Sequence, residues 1–257
     1  MALAFTVDGR PVEVDDDGSS LLEVLRDRLG VRSPKDGCSP QGQCGCCTVL
    51  VDGKPRVACV TPARRVAGRV VTTLDGFDAH ERDRWAAAFS ACGASQCGFC
   101  TPGIIVRLVS LADPTPERVD QALLAHLCRC TGWQTIREAA AAAAEPAAAA
   151  AAAEPAPPAP DRDLDAASRR AAIEGGVPQR VGPDVALGQA GFADDTAPRD
   201  ALVAVPSPDG GWVVAETLAE ARRLAGKVQG RRTTLDVTHP LAAPDGDWDV
   251  MLRTTWV

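Results

Sequence analysis

The sequence predicts an α+β fold in three consecutive parts. A strand-rich segment spans residues 1–76 and a helical segment spans 77–144; past an alanine- and proline-rich linker over 145–165, a mixed segment spans 166–257. Three observations lead there. Up to about residue 73, short apolar runs are punctuated by Asp-Gly turns, the pattern of hairpins. From Asp78 the apolar period becomes helical. All ten cysteines lie between Cys38 and Cys130, in two groups, one in each of the first two parts.

Residues 3–14 alternate around Asp8-Gly9, which predicts a hairpin between Phe5-Thr6-Val7 and Pro11-Val12-Glu13-Val14. Ser19 or Ser20 then caps a helix whose Leu21, Leu22, Leu25 and Leu29 share one face, with Gly30 at its end. After a cysteine-rich loop, residues 48–51 and 54–60 flank a second hairpin at Asp52-Gly53, and 69–73 form a further strand. Strand pair, helix, loop and strand pair make a β-grasp arrangement.

Four helices follow, over 78–91, 102–111, 116–127 and 134–144, the third opened by Asp113-Pro114-Thr115-Pro116-Glu117. They make a small four-helix domain. Residues 139–160 are low in complexity, two alanine runs broken by Glu145-Pro146 and Glu154-Pro155 and closed by Pro157-Pro158, and their proline-rich end is a semi-rigid spacer. Beyond it, 202–205 and 212–215 read as strands, 217–227 as a helix with a Thr-x-x-Glu cap, and 233–237 and 250–257 as strands. The last apolar run, 251–257, predicts a sheet completed by residues outside this sequence, on a continuation or a partner chain.

The first cysteine group is Cys38, Cys44, Cys46 and Cys47, with Cys59 further on. A [2Fe–2S] cluster needs four thiolates, and plant-type ferredoxins take three from one loop and the fourth from a distant segment. Cys38, Cys44 and Cys47 fit the loop positions and Cys59 the distant one. Gly37, Gly42 and Gly45 allow a tightly turned backbone whose N–H groups face the sulfurs. The second group is Cys97 and Cys100, then Cys128 and Cys130. Each pair precedes a predicted helix start, Thr101-Pro102 as cap with proline at the first position and Thr131-Gly132-Trp133-Gln134 in capping-box form. A helix N-terminus lowers a neighbouring thiol's pKa.

Two other chemistries compete for these cysteines. Disulfides fit an exported chain, but Met1-Ala2-Leu3-Ala4-Phe5 has no basic or apolar export pattern, which predicts a cytoplasmic protein. Zinc usually takes two C-x2–4-C knuckles, and the spacings here fit that poorly. Zinc remains the rival.

Three strings carry a resemblance to a known family: Gly42-Gln43-Cys44-Gly45-Cys46-Cys47-Thr48-Val49, Gln96-Cys97-Gly98-Phe99-Cys100-Thr101-Pro102-Gly103 and Leu127-Cys128-Arg129-Cys130-Thr131-Gly132. Over roughly residues 3–140 the chain resembles the small iron–sulfur subunit or domain of the molybdenum hydroxylases, the xanthine dehydrogenase, aldehyde oxidoreductase and carbon monoxide dehydrogenase group. Two departures stand out. Five residues separate Cys38 from Cys44 where the family usually has four, and the stretch from Cys100 to Cys128 is shorter than usual. The eight ligands leave out Cys46, where the family commonly has alanine, and Cys92; both read as buried bystanders, with Cys46 a rival ligand.

The resemblance implies two [2Fe–2S] clusters in series. They would drain two electrons, singly, from a molybdopterin centre that hydroxylates an aldehyde, purine or other N-heterocycle. It puts the cluster of Cys97, Cys100, Cys128 and Cys130 nearest molybdenum, with Gln96 hydrogen-bonded to the molybdopterin and Cys130 lying against it. Val181-Gly182 and the string from Gly188 to Asp195 are similar to the opening of the molybdenum-binding subunit, ahead of its α/β hammerhead domain. The implied partners are therefore a molybdenum-binding large subunit or continuation chain and an FAD subunit. No Gly-rich dinucleotide fingerprint occurs in this sequence, and the direct fusion without a flavin domain resembles the flavin-free aldehyde oxidoreductases. The chain alone is expected to oxidise no substrate. A stand-alone ferredoxin-like carrier and a zinc-stabilised interaction module are the alternative functions.

A net charge of −7 and a pI near 5.0 argue against nucleic acid, which needs a basic stripe. The 46% of hydrophobic residues supports real cores, but no uninterrupted apolar run reaches membrane length. His80, His126 and His239 form no catalytic grouping, and His126 is expected on a helix, packing toward Cys128.

Overall fold

The computed structural model describes residues 2–38, 40–148, 163–175, 180–198, 200–207, 209–226 and 252–254. β1 (Ala2–Val7) and β2 (Arg10–Asp15) form the first hairpin, with Asp8 and Gly9 both at positive φ in its turn. Alternation sets its inner face: Leu3, Phe5 and Val7 are buried. β3 (Thr48–Val51) pairs antiparallel with β4 (Lys54–Val57), and β5 (Val70–Thr72) enters between the hairpins, parallel to β1 and antiparallel to β3. The resulting sheet order is β2-β1-β5-β3-β4.

The helix across this sheet departs from expectation. Ser20 closes a capping box with Glu23 and starts α1 (Leu21–Glu23), but the next five residues, Val24–Arg28, are π-helical. The Leu29 amide reaches the Val24 carbonyl and the Val31 amide the Leu25 carbonyl. The wider turn shifts the register, so that Val24 and Arg26 are buried and Leu29 is only half-buried. β4 also stops at Val57, three residues early. The Ala58 amide turns back to the Cys47 carbonyl, and Ala58–Val60 form a 3-10 turn.

Asp78 caps α2 (Ala79–Ala91), which packs against α5 (Trp133–Ala148). α3 (Thr101–Val109) takes Cys100 as N-cap, with Thr101 already inside the helix. Thr115 caps α4 (Pro116–Leu123), which ends four residues before the predicted point because Leu127 is drawn to the first cysteine loop, as described below. Trp85, Phe89, Ile104, Ile105 and Leu108 fill this second core, and the alanine run of α5 gives it a close-packed wall through Ala139, Ala140 and Ala143.

Past residue 162, α6 (Leu164–Gly175), α7 (Pro183–Ala186) and α8 (Ala193–Thr196) lead to β6 (Leu202–Pro206), β7 (Trp212–Ala215) and α9 (Leu218–Leu224), the last capped by Thr217. β8 (Leu252–Thr254) lies parallel to β6, giving a sheet of order β7-β6-β8. A small core of Val203, Val205, Ala221 and Ala225 holds α9 on it. The strand expected over 233–237 lies outside the described residues.

Three buried cations bind this last part to the first. Arg26 reaches Asp194 and Asp195 at 2.5 and 2.7 Å, Lys35 reaches Asp195 at 2.6 Å, and Arg222 reaches Asp36 at 3.0 Å and Glu23 at 3.5 Å. The Arg26, Lys35 and Arg222 side chains are only 5%, 1% and 8% exposed. A cavity of about 300 Å³ remains between the two parts, reaching Cys59, Phe99 and Phe192.

Candidate functional site

The loop from Gly37 to Cys47 lies between the two main cores and contributes to both. Cys47 joins the sheet core with Cys59, while Cys44 and Cys46 join the helical core with Cys100. The early end of β4 is what turns Cys59 inward: its amide points at the Cys47 sulfur, 3.4 Å away. The Gln41 amide likewise faces the Cys38 sulfur at 3.4 Å. The Cys38 thiol is hydrogen-bonded to those of Cys44 and Cys59, and Cys59 also to that of Cys47. Hydrogen bonds from Cys44 and Cys59 hold Cys38 far below the usual thiol range, and the same contacts push Cys44 and Cys59 well above it. The sulfurs of this set are thus crowded within reach of one another.

Cys97, Cys100, Cys128 and Cys130 also converge. Cys97 contacts Cys130, and Cys100 contacts Cys128. The hydrogen bond from Cys100, aided by the hydroxyl and amide of Thr131, brings Cys128 down to about 5. Burial pushes Cys97 up to about 11, and Cys100 rises through its bond to Cys128 and burial. Thr131 therefore turns to sulfur: its Oγ1 lies 3.0 Å from Cys128 Sγ, and this contact takes the place of the capping box expected for α5.

Among the described residues, no three Cys, His, Asp or Glu side chains gather at single-ion distance. The first set forms a chain of thiols, Cys44 to Cys38 to Cys59 to Cys47, and in the second Cys97 meets Cys130 and Cys100 meets Cys128. A [2Fe–2S] group, with four thiolates over two irons, fits that donor arrangement.

The two sets are locked together by backbone. The Leu127 amide donates to the Cys44 carbonyl at 2.9 Å. His126 is buried in a turn beyond α4, not on a helix, with Nε2 3.3 Å from Thr48 Oγ1. Burial brings its pKa down to about 4, so it packs as a neutral ring. It closes over Gly45, at φ +71°, where a Cβ would lie 2.4 Å from the ring. From the other side, the Gly45 carbonyl would meet a Cβ on Gly103 of α3 at 2.3 Å.

Gln96 and Cys130, expected to face a pterin, are both exposed. Near them in sequence, Leu124, Leu127 and Trp133 expose 84%, 60% and 42% of their surface. On the opposite edge of Cys97-Gly98-Phe99-Cys100, Phe192 packs edge-on to Phe99 with centroids 5.1 Å apart, and Lys35 lies over the Phe192 ring at 5.7 Å. Sequence reasoning missed Arg26, Lys35 and Arg222 because their acidic partners lie more than a hundred residues away. The one local signal is the Asp194-Asp195 pair after Phe192.

Two family models match the chain: a "2Fe-2S iron-sulfur cluster binding domain" over residues 5–69 and a "[2Fe-2S] binding domain" over residues 73–141. The chain is 39% identical over 139 residues to the xanthine dehydrogenase iron-sulfur-binding subunit of Escherichia coli, covering 51% of this chain and 86% of that one. It is 37% identical over 135 residues to the nicotinate dehydrogenase small FeS subunit of Eubacterium barkeri, covering 51% and 85%. Among solved structures, the aldehyde oxidoreductase of Desulfovibrio desulfuricans superposes with a TM-score of 0.61 at 32% identity, over 79% of this chain but 23% of that one. Tandem [2Fe–2S]-binding domains define an iron–sulfur electron-transfer protein. Within that class, the chain belongs to the iron–sulfur subunits and domains of the molybdenum hydroxylases.

Proposed function

We propose that Cys38, Cys44, Cys47 and Cys59 hold one [2Fe–2S] cluster and Cys97, Cys100, Cys128 and Cys130 the other. Electrons then pass singly from a molybdopterin centre, in a partner chain or continuation, to flavin or an external acceptor. When bound, each cluster supplies a one-electron carrier. One observation carries the reading: two four-thiol sets joined through the 2.9 Å bond from Leu127 to the Cys44 carbonyl. That bond offers a short backbone route from Cys128, next to Leu127, to Cys44. Entry belongs at the second set, where the exposed Cys130 and the Gln96 amide are available to a pterin. The exposed Leu124, Leu127 and Trp133 suit an apolar partner surface there.

The proposed division is 1–76 for the ferredoxin-like domain, 77–144 for the helical domain, 145–165 for the linker and 166–257 for the start of a molybdenum-binding region of α/β hammerhead type. Supporting the last assignment, similarity to the aldehyde oxidoreductase structure extends over 79% of the chain, more than residues 5–141 account for.

Anaerobically purified protein should contain about four iron with matching labile sulfide, as two four-thiolate clusters require, and two distinct paramagnetic signals on reduction. Cys59→Ser should remove one signal and leave the other. Stoichiometric zinc without labile sulfide would overturn the reading.

A further inference from the structure

The run of chain after the linker lies directly on the second cysteine loop. α7 packs against α2, and its Ala186 is fully buried in the helical core. The neighbouring Val185 carbonyl comes so near Gly98 that a Cβ there would lie 2.2 Å from the oxygen. Gly188 approaches the start of α3 in the same way: a Cβ on it would lie 2.8 Å from Pro102 Cγ. Both glycines are at positive φ, +76° and +85°, and neither approach leaves room for a methyl group. Phe192 then sets its ring edge-on to Phe99 with centroids 5.1 Å apart. The buried Lys35 ammonium fixes the turn between these contacts, donating to the Gly188 carbonyl at 3.1 Å. Residues 183–192 thus touch Gly98, Phe99 and Pro102 in one continuous seam, two of them inside the Cys97-to-Cys100 loop and the third just past it.

We propose that residues 183–192 are a cover for the second cysteine set, shutting water from the side of its loop away from the exposed Gln96 and Cys130 and so holding that cluster's reduction potential down. The inference rests on the ligand assignment above. Reduction adds a negative charge to a cluster, and water stabilises the more charged state better than packed side chains do, so solvent exposure is among the factors that set its potential. With one side closed, water reaches the loop from the other. The matching domain model ends at residue 141. The cover therefore comes from outside the cluster-binding domain, and the segment beyond the linker acts on a site whose cysteines it does not supply.

The test is a redox titration of the loaded full chain, with both clusters followed by their separate paramagnetic signals. Phe192→Ala opens a gap beside Phe99, and Gly188→Val drives the segment off Pro102. Both variants should keep about four iron and shift the second cluster's reduction equilibrium about fivefold toward the reduced form, which is about 40 mV for one electron. The first cluster should move less. In heavy water, deuteron couplings to the second signal should grow, and Phe192→Leu, which refills most of the gap, should bring both readouts back toward wild type. An unchanged or lowered second potential, unchanged couplings, or equal shifts in both clusters would each overturn the proposal. The wild-type chain gives a check that needs no substitution: the amides of 183–192 and of 97–103 should share slow hydrogen exchange. Fast exchange over 183–192 beside protected 97–103 would show an unseated segment and overturn the cover. Absence of labile sulfide from the wild-type chain would instead defeat the ligand assignment, and the exchange result would still judge the cover.

Discussion

Gly45 has two jobs that no other residue can do together. It adopts a φ of +71°, and it leaves room for His126 and for the Ala125 carbonyl, which a Cβ would meet at 2.4 and 2.6 Å. Gly45→Ala should therefore cost about 1–3 kcal/mol in backbone strain alone, with the collision added. Chemical denaturation should show the loss, and the signal of the cluster at Cys38 to Cys59 should weaken first. An alanine variant with wild-type stability and both signals intact would show that the His126 lid is not rigid. The spacing of the glycine and the cysteines around it reads as a cluster loop, and the structure brings those cysteines together. The lid is not legible in the sequence, because a lone buried histidine carries no local mark of what it covers.

α3 shows how one element serves both sites. Its first turn begins at Cys100, and Gly103 brings its backbone against the carbonyls of Gly45 and Cys46. Gly103→Ala would force a Cβ to within 2.3 Å of the Gly45 carbonyl, a backbone atom with no rotamer to escape into. The substitution lies inside a helix and favours helix formation by about 0.8–1.0 kcal/mol on propensity. It should nevertheless disturb the first cluster more than the second, which compared signal amplitudes and iron content would reveal; selective loss of the second cluster would contradict this. At this scale the sequence was read well where periodicity and caps act locally, as in β1, β2, α2 and α9. It was misread wherever a sulfur or a distant carbonyl outcompeted the local cap. Thr131 turned to Cys128, β4 ended early for Cys59, and α4 ended early for Leu127. The π-helical turn after α1 has the same kind of cause: it brings Arg26 inward to acids that no local pattern announces.

The whole molecule is joined across the linker by charge as much as by apolar contact. Asp195 is shared by Arg26 and Lys35, whose side chains are almost fully enclosed. Burial pulls the Lys35 pKa below its ordinary value, and Asp195 offsets part of that cost. Asp195→Ala removes the carboxylate nearest the buried Lys35 ammonium and leaves it the Arg32 and Gly188 carbonyls at 2.6 and 3.1 Å; breaking a buried pair costs about 3–5 kcal/mol in comparable cases. The expected outcome is faster proteolysis within residues 180–226 and no loss of iron from the second site. Unchanged proteolysis would show that Phe192 and its neighbours hold the segment without the ion pairs.

The bond from Leu127 to the Cys44 carbonyl also bears on synthesis. A ribosome that has delivered residues up to 123 has already released all four cysteines of the first set, but not the turn that seats Cys44 and covers Gly45. Iron arriving then would find the sulfurs without their final scaffold. On the proposed ligand assignment, loading of the earlier-made site is expected to follow closure of the helical half and not emergence of the cysteines, and chains truncated before Leu127 should carry less iron at the first set than the full chain.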